Sequence, residues 1–311
     1  MHKLITFSRP PSNAIIGCAS TKLSVAEKAL FKQMRPLGLI LFARNIATPK
    51  QVSALVDEFK RITDNEFALI LIDQEGGRVS RLPATHWRIP PSPTEFAKLY
   101  KHSPDAAMRA CEINYQLIGA DLKRIGVNVN CAPMLDIPQP DASTVVTDRA
   151  LGDTPQSVIA LGQATITGLQ NSGVEPVIKH GPGHGRGTTD SHKALPIVAA
   201  DIDTLAKWDF LPFEHFKHAS MLMTAHILYT AIDAELPATL SSKVINDVVL
   251  QCSGIIDDLR SLETALQPLA DKALERAQFA ASKAAASPVD IDETALLEEL
   301  SELLLKGSTQ L

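Results

Sequence analysis

Ala68-Leu69-Ile70-Leu71-Ile72-Asp73 reads as a buried strand closed by a carboxylate: five apolar residues run without a polar interruption and stop at Asp73. Working outward, similar short runs recur near Ala14 to Ala19, Leu39 to Phe42, Val127 to Cys131, Glu175 to Lys179 and Ser220 to Thr224, with a weaker one near Val248 to Cys252, which makes seven in all. Between them lie amphipathic stretches, Pro49 to Arg61, Ala106 to Ile125, Pro155 to Asn171 and Asp203 to His218, with apolar residues at three- and four-residue steps. Strands alternating with helices of this length predict βα units around a parallel sheet. Polar residues gather just after the strand ends: Asn45, Asp73 and Glu75, Asp136, His180 and His226. In a closed parallel barrel all those ends face one rim, where barrel enzymes place their chemistry. The fold expected is therefore a TIM-type (β/α) barrel, one domain over residues 1–311 with a helical C-terminal tail from about residue 259. An open doubly wound sheet is the alternative, but it wants a glycine-rich phosphate loop after its first strand, and Gly17-Cys18-Ala19-Ser20 is not one. In the tail, Ser287-Pro288 breaks the pattern, and Asp290 or Asp292 is placed to cap a last helix from Glu293 to Leu305, packed on the outside or bottom of the barrel.

Composition narrows the function. With 311 residues, 45% of them hydrophobic, the chain can bury a large core, and a formal charge of -5 leaves no electrostatic footprint for nucleic acid or an anionic membrane. The four cysteines (Cys18, Cys111, Cys131, Cys252) are far apart with no CxxC spacing, which fits free thiols in a reducing compartment. The N-terminus, MHKLITFSRPPSNAI, has no long apolar core, and no window approaches the length of a membrane span. A soluble, cytoplasmic protein is expected.

The densest polar cluster is Lys179-His180-Gly181-Pro182-Gly183-His184-Gly185-Arg186-Gly187-Thr188-Thr189-Asp190-Ser191-His192, directly after a buried strand. Four glycines and a proline bend the loop sharply and leave little bulk to obstruct a ligand. Asp190 and His192 can approach each other if the backbone curls; a carboxylate on one imidazole nitrogen fixes the tautomer and frees the other nitrogen for general acid/base work. A single histidine at a strand end is usually a satisfied structural group, but three with a lysine and an aspartate in fourteen residues are harder to read that way. A zinc site drawn from His180, His184, Asp190, His192 and His226 competes, though no HxH or HExxH spacing is present and Lys179 would repel a cation. In the second cluster, Asp73-Gln74-Glu75-Gly76-Gly77-Arg78-Val79-Ser80-Arg81, the Asp73 carboxylate stands at the rim, able to accept from two adjacent hydroxyls, with Arg81 able to return to the same pocket. Arg149, in Asp148-Arg149-Ala150-Leu151-Gly152, offers another guanidinium.

KHGPGHGRGTTDSH resembles the KHFPGHG…DSH signature of family 3 glycoside hydrolases of the bacterial β-N-acetylhexosaminidase branch. LGLILFARNI, LILIDQEGGRVSRL, VNVNCAPMLDI, DRALG, LPF, LMTAHILYTAID and PATLS also look like blocks of that family, in its order, across roughly residues 14 to 241. The resemblance implies a barrel enzyme that removes terminal N-acetylglucosamine from cell-wall fragments during peptidoglycan recycling by a retaining mechanism, acting as a monomer on a small carbohydrate without metal or organic cofactor. It assigns acid/base catalysis to His192 with Asp190 as its dyad partner, and sugar binding to Asp73, Arg81, Arg149, Lys179 and His180. Gly181 stands where the family usually has Phe, so a contact beside the sugar is lost. A larger departure follows PATLS. The family's Ser-Asp-Asp-Leu block, whose first aspartate is the nucleophile, is missing. Either Ile255-Ile256-Asp257-Asp258-Leu259 is its degraded form, with Asp257 as nucleophile, or LQCSG is the last barrel strand and the seventh βα unit is absent between about Val249 and Leu250. The second alignment is favoured, agrees with seven strands, and opens the alternative of a non-catalytic or impaired sugar-binding homologue.

Overall fold

The computed structural model describes residues 10–140, 144–189, 194–249 and 291–308. β1 (Ser12–Ile16), β2 (Pro36–Leu41), β3 (Leu69–Ile72), β4 (Val129–Asn130) and β5 (Glu175–Pro176) lie side by side in chain order, every pairing parallel. Four short strands follow: β6 (Ile178–Gly181), β7 (Ile197–Val198), β8 (Leu222–Thr224) and β9 (Leu228–Tyr229). β6 prolongs the line of β5 and pairs in parallel with β8, while β7 and β9 form a separate parallel pair.

The crossovers are helices α1 (Val25–Met34), α2 (Pro49–Thr63), α3 (Pro93–Tyr100), α4 (Pro104–Arg124), α5 (Thr144–Thr147), α6 (Pro155–Asn171), α7 (Ile202–Lys207) and α8 (Leu211–His215), followed by α9 (Ser242–Val244) and the terminal α10 (Glu293–Ser308). Thr48-Pro49, Ser92-Pro93, Ser103-Pro104 and Thr154-Pro155 each open a helix, because proline at the first position gives up an amide hydrogen that has no acceptor there anyway. The Thr48 and Thr154 hydroxyls then accept from the backbone amides of Gln51 and Ser157.

Side-chain alternation along the strands builds the barrel. On β3, Ile70 and Ile72 face the helices and join the large outer core with Leu55, Phe59 and Ile113. Leu69 and Leu71 face the other way and meet Val129, Cys131, Val177, Met221 and Met223, contributed by strands from around the wall. One apolar cluster fed by successive strands is the packed interior of a TIM-type barrel. The parity continues past the strand ends: Asp73 follows Leu71 by two, and Lys179 follows Val177 by two, so both charged groups cap the interior cluster at one rim.

Six of the expected strands are in the wall. The weak seventh is corrected where it is described: Val248 and Val249 belong to a helical turn, Ile245–Val249, that continues α9. Ser241 caps that segment by accepting from the Val244 amide, and Val244, with Val248 and Val249 four and five residues on, buries one face in the core beside β8 and β9. Residues 250–252, the Ile255–Leu259 block with Asp257, and any boundary of a seventh βα unit lie outside the described residues. The helix expected over Asp203 to His218 divides into α7 and α8, because Pro212 starts a new helix rather than continuing the first. The terminal helix forms as expected, with Asp292 accepting from the Ala295 amide and Leu300 buried among the outer-core residues. Among the described residues no helix is long and apolar enough to cross a membrane.

Candidate active site

Three loops converge at the rim. After β3 the chain turns back on itself through Gly76 and Gly77, both at positive φ, and the Glu75 amide bonds the Val79 carbonyl. That turn folds Glu75 inward, where it is 1% exposed. Tyr115, on α4, fixes the turn by donating its hydroxyl to the Glu75 carbonyl oxygen at 2.8 Å. Lys179 enters from β6, paired in register with Met223. Arg149 enters from the segment after α5.

These groups form one ion network. Lys179 Nζ lies 2.9 Å from Asp73 Oδ1 and 2.5 Å from Glu75 Oε1. Arg149 holds Glu75 with two bonds, Nε to Oε2 at 2.8 Å and a terminal nitrogen to Oε1 at 2.6 Å. Arg81 reaches Asp73 Oδ2 at 3.5 Å. Three fixed cations therefore face two carboxylates, an excess of positive charge with donors pointed at the rim. Burial alone would raise the Glu75 carboxyl, but the charges of Lys179 and Arg149 and their hydrogen bonds hold it down to about 2. Asp73 is likewise raised by burial and brought below its ordinary value by Lys179. Burial pulls the Lys179 ammonium down, and the carboxylates of Glu75 and Asp73 more than reverse it.

Beside this network stands a second acid. Asp136 follows β4 and is fully buried. The Met134–Lys179 bridge carries it to the start of the glycine-rich loop. Its Oδ2 is 2.7 Å from His180 Nδ1, and its Oδ1 accepts from the His184 amide at 2.6 Å and the His180 amide at 3.3 Å. Burial raises this carboxyl too, but the neighbouring His180 and its hydrogen bond hold it down to about 2. His184 is shifted the other way: burial keeps its imidazole below the ordinary value against the pull of Asp136.

The stem of the loop is tightly tied. Tyr229 donates to the Gly183 carbonyl, Gln139 donates its amide to the Gly185 carbonyl at 3.0 Å, and Arg186 Nε meets Asp209 Oδ2 at 2.7 Å. A Cβ at Gly185 would collide with the Ile137 carbonyl, so only glycine permits that approach. At Gly181 an added Cβ would meet the Leu222 side chain at 2.8 Å, so the space beside the loop is already filled by leucine.

The sequence-derived residues are thus distributed in three ways. Asp73, Arg81, Arg149 and Lys179 are brought into one network, and His180 sits next to it on Asp136. Asp190 and His192 lie outside the described residues. Glu75 and Asp136 were read only as polar residues at strand ends, yet each is the acceptor on which cationic or imidazole groups converge; their signal was a carboxylate within a few residues of a buried strand end. Among the described residues no three His, Cys, Asp or Glu side chains are gathered as metal ligands.

The profile of the Glycosyl hydrolase family 3 N terminal domain matches residues 13–267. A beta-hexosaminidase of Methylococcus capsulatus is 37% identical over 218 residues, covering 70% of this chain and 63% of that protein, so the chain spans somewhat less than two thirds of this relative's length. Among solved structures, NagZ from Neisseria gonorrhoeae in complex with N-trifluoroacetyl-D-glucosamine superposes with a TM-score of 0.80 at 24% identity, covering 95% of this chain and 98% of that one. A family 3 beta-N-acetylglucosaminidase from Paenibacillus gives a TM-score of 0.71 at 29% identity, covering 96% of this chain and 61% of that one. A TIM-type barrel carrying these motifs at one rim, matched by that profile over most of its length, belongs to glycosyl hydrolase family 3.

Proposed function

We propose that this protein is a β-N-acetylhexosaminidase that removes terminal β-linked N-acetylglucosamine from peptidoglycan fragments, with retention, as a monomeric single-domain cytoplasmic enzyme. The observation that supports this most is the gathering of Asp73, Arg81, Arg149 and Lys179 around Glu75 at the barrel rim of a family 3 chain. Such a cluster suits a neutral polyhydroxylated ring: guanidinium and ammonium groups donate to hydroxyl and acetamido oxygens, and Asp73 accepts from hydroxyls. In this reading His192, steered by Asp190, protonates the departing glycosidic oxygen as a carboxylate attacks the anomeric carbon. It then takes a proton from the water that displaces the enzyme from the sugar. Names of similar proteins agree with the substrate class, since a structural neighbour was solved with an N-acylated glucosamine.

A second reading is a sugar-binding homologue without turnover. It is favoured by the sequence after Pro237–Ser241, where the Ser-Asp-Asp-Leu block of the resembled family is missing. One experiment separates them. Purified protein is incubated with 4-nitrophenyl N-acetyl-β-glucosaminide, and with a slow 5-fluoro analogue followed by intact-mass measurement. Nitrophenol release that His192→Ala abolishes, with a glycosyl adduct on the protein, supports the enzyme and locates the nucleophile. Sugar binding with neither release nor adduct supports the second reading, and release undiminished in His192→Ala overturns the mechanism.

A further inference from the structure

Asp136 is absent from the residues to which the family resemblance gives a role, yet among the described residues its carboxylate bonds the two histidines of the glycine-rich loop. We infer that Asp136 is a positioning residue that locks His180 as the Nδ1–H tautomer, so that Nε2 presents a lone pair to one hydroxyl of the bound sugar. This rests on the proposed sugar-binding role of the rim.

The argument is one of donors and acceptors. An ionised carboxylate can only accept, and Asp136 takes the His180 and His184 amides on Oδ1 and the His180 ring on Oδ2. A ring nitrogen 2.7 Å from its Oδ2 must therefore carry the hydrogen. In the neutral imidazole the other nitrogen is then the acceptor. Nε2 has no hydrogen-bond partner among the described residues, and the His180 side chain keeps 20% of its surface although Asp136 behind it keeps none. Acceptors are scarce on the rest of the rim. Lys179, Arg81 and Arg149 only donate, so Asp73, which already takes Lys179 on Oδ1 and Arg81 on Oδ2, is the acceptor that sugar hydroxyls share with those cations. A sugar hydroxyl both donates and accepts, and a ring surrounded by cations gains a second acceptor in Nε2. The neighbouring His184 ring lies 5.8 Å away edge to face, and burial disfavours its charged form.

Asp136→Asn gives a specific test, because the side-chain oxygen can still accept from the His180 and His184 amides while its NH2 group faces Nδ1 and forces the hydrogen onto Nε2. Nitrogen-15 spectra of the imidazoles, with His180 assigned by its loss in His180→Gln, should show Nδ1–H in the parent protein and Nε2–H in Asp136→Asn. Affinity for N-acetylglucosamine should fall about five- to tenfold, the equivalent of one neutral hydrogen bond. Among 3-, 4- and 6-deoxyfluoro analogues, one should bind poorly to the parent, because fluorine cannot donate, and regain affinity in Asp136→Asn. Asp136→Ala serves as the variant that frees both tautomers and should show no such regain. Hydrogen on Nε2 in the parent, or no transfer in Asp136→Asn, overturns the assignment. Transfer with sugar affinity within twofold and an unchanged fluoro pattern overturns the positioning role. If N-acetylglucosamine binds neither protein, the proposed function falls, and the nitrogen shifts alone still decide the tautomer.

Discussion

Lys179 and Glu75 meet at 2.5 Å at a point where their side chains keep only 2% and 1% of their surface. A charge pair at that depth is costly to desolvate and is held by what surrounds it, here Asp73 on the ammonium and Arg149 on the carboxylate. Removing one member strands the other. Glu75→Ala should therefore lower the unfolding free energy by about 3–5 kcal/mol in urea titrations. Glu75→Gln, which keeps the shape and some hydrogen bonds, should cost less. A loss within about 1 kcal/mol for Glu75→Ala would show that the pair is solvated in solution.

Acid stability follows from the same groups. Glu75 and Asp136 are both held down to about 2, whereas carboxyls in the unfolded chain titrate near 4. The folded state thus binds fewer protons than the unfolded state in that interval, and stability rises with pH across it. Their contribution is fully present above about pH 4.5 and is lost as pH falls toward about 2. His184, whose imidazole is depressed by burial, starts the decline earlier, as the unfolded histidine takes its proton below about 6.5. Urea midpoints measured from pH 7 downward should decline gently at first and steeply below about 4.5, and Glu75→Gln should flatten the steep part. A midpoint independent of pH through that range would contradict the ionised network.

Gly181 and Leu222 share one space. Gly181→Ala should destabilise by about 1–3 kcal/mol through overpacking, and adding Leu222→Ala should recover part of that loss. Thermal melts of the two single variants and the double variant give the coupling, expected at about 0.5 kcal/mol or more; strict additivity would mean the leucine moves aside.

The terminal helix is held by packing more than by charge. Arg109 grips Glu299 through two bonds at 2.7 and 2.8 Å, but both side chains are 42% exposed. Arg109→Ala should cost less than about 1 kcal/mol, while Leu300→Ala, at a position 4% exposed, should cost about 2–4 kcal/mol. Chemical denaturation of the two variants side by side distinguishes these, and equal losses would reverse the reading.

The strands were legible where one signal dominated. Leu69 to Ile72 is an uninterrupted apolar run buried on both faces, as an inner strand must be, and Val127, Val129 and Cys131 alternate with asparagines on the next strand of the wall. Asp73 and Lys179 were legible for the same reason: the two-residue alternation projects past a strand end and fixes which side the next polar group takes. Val248 and Val249 misled, because a β-branched pair after a polar segment looks like a strand, and only the Ser241 cap and the shared buried face with Val244 select the helix. Asp203 to His218 misled because helical spacing persists across a proline that restarts the helix at α8.

By itself the amino-acid sequence determined the barrel, the rim and most of the charged groups on it, since local periodicity dictates which residues are buried and which strand end each polar side chain follows. Which charges meet was decided only in three dimensions. Glu75 reaches Lys179 because a positive-φ glycine turn bends it back over β3, and Asp136 reaches His180 because the segment after β4 is bridged to β6 through Met134 and Lys179 after some forty residues of intervening chain. Those contacts depend on the closure of loops between distant segments, and no spacing along the chain encodes the distance at which two such loops come to rest.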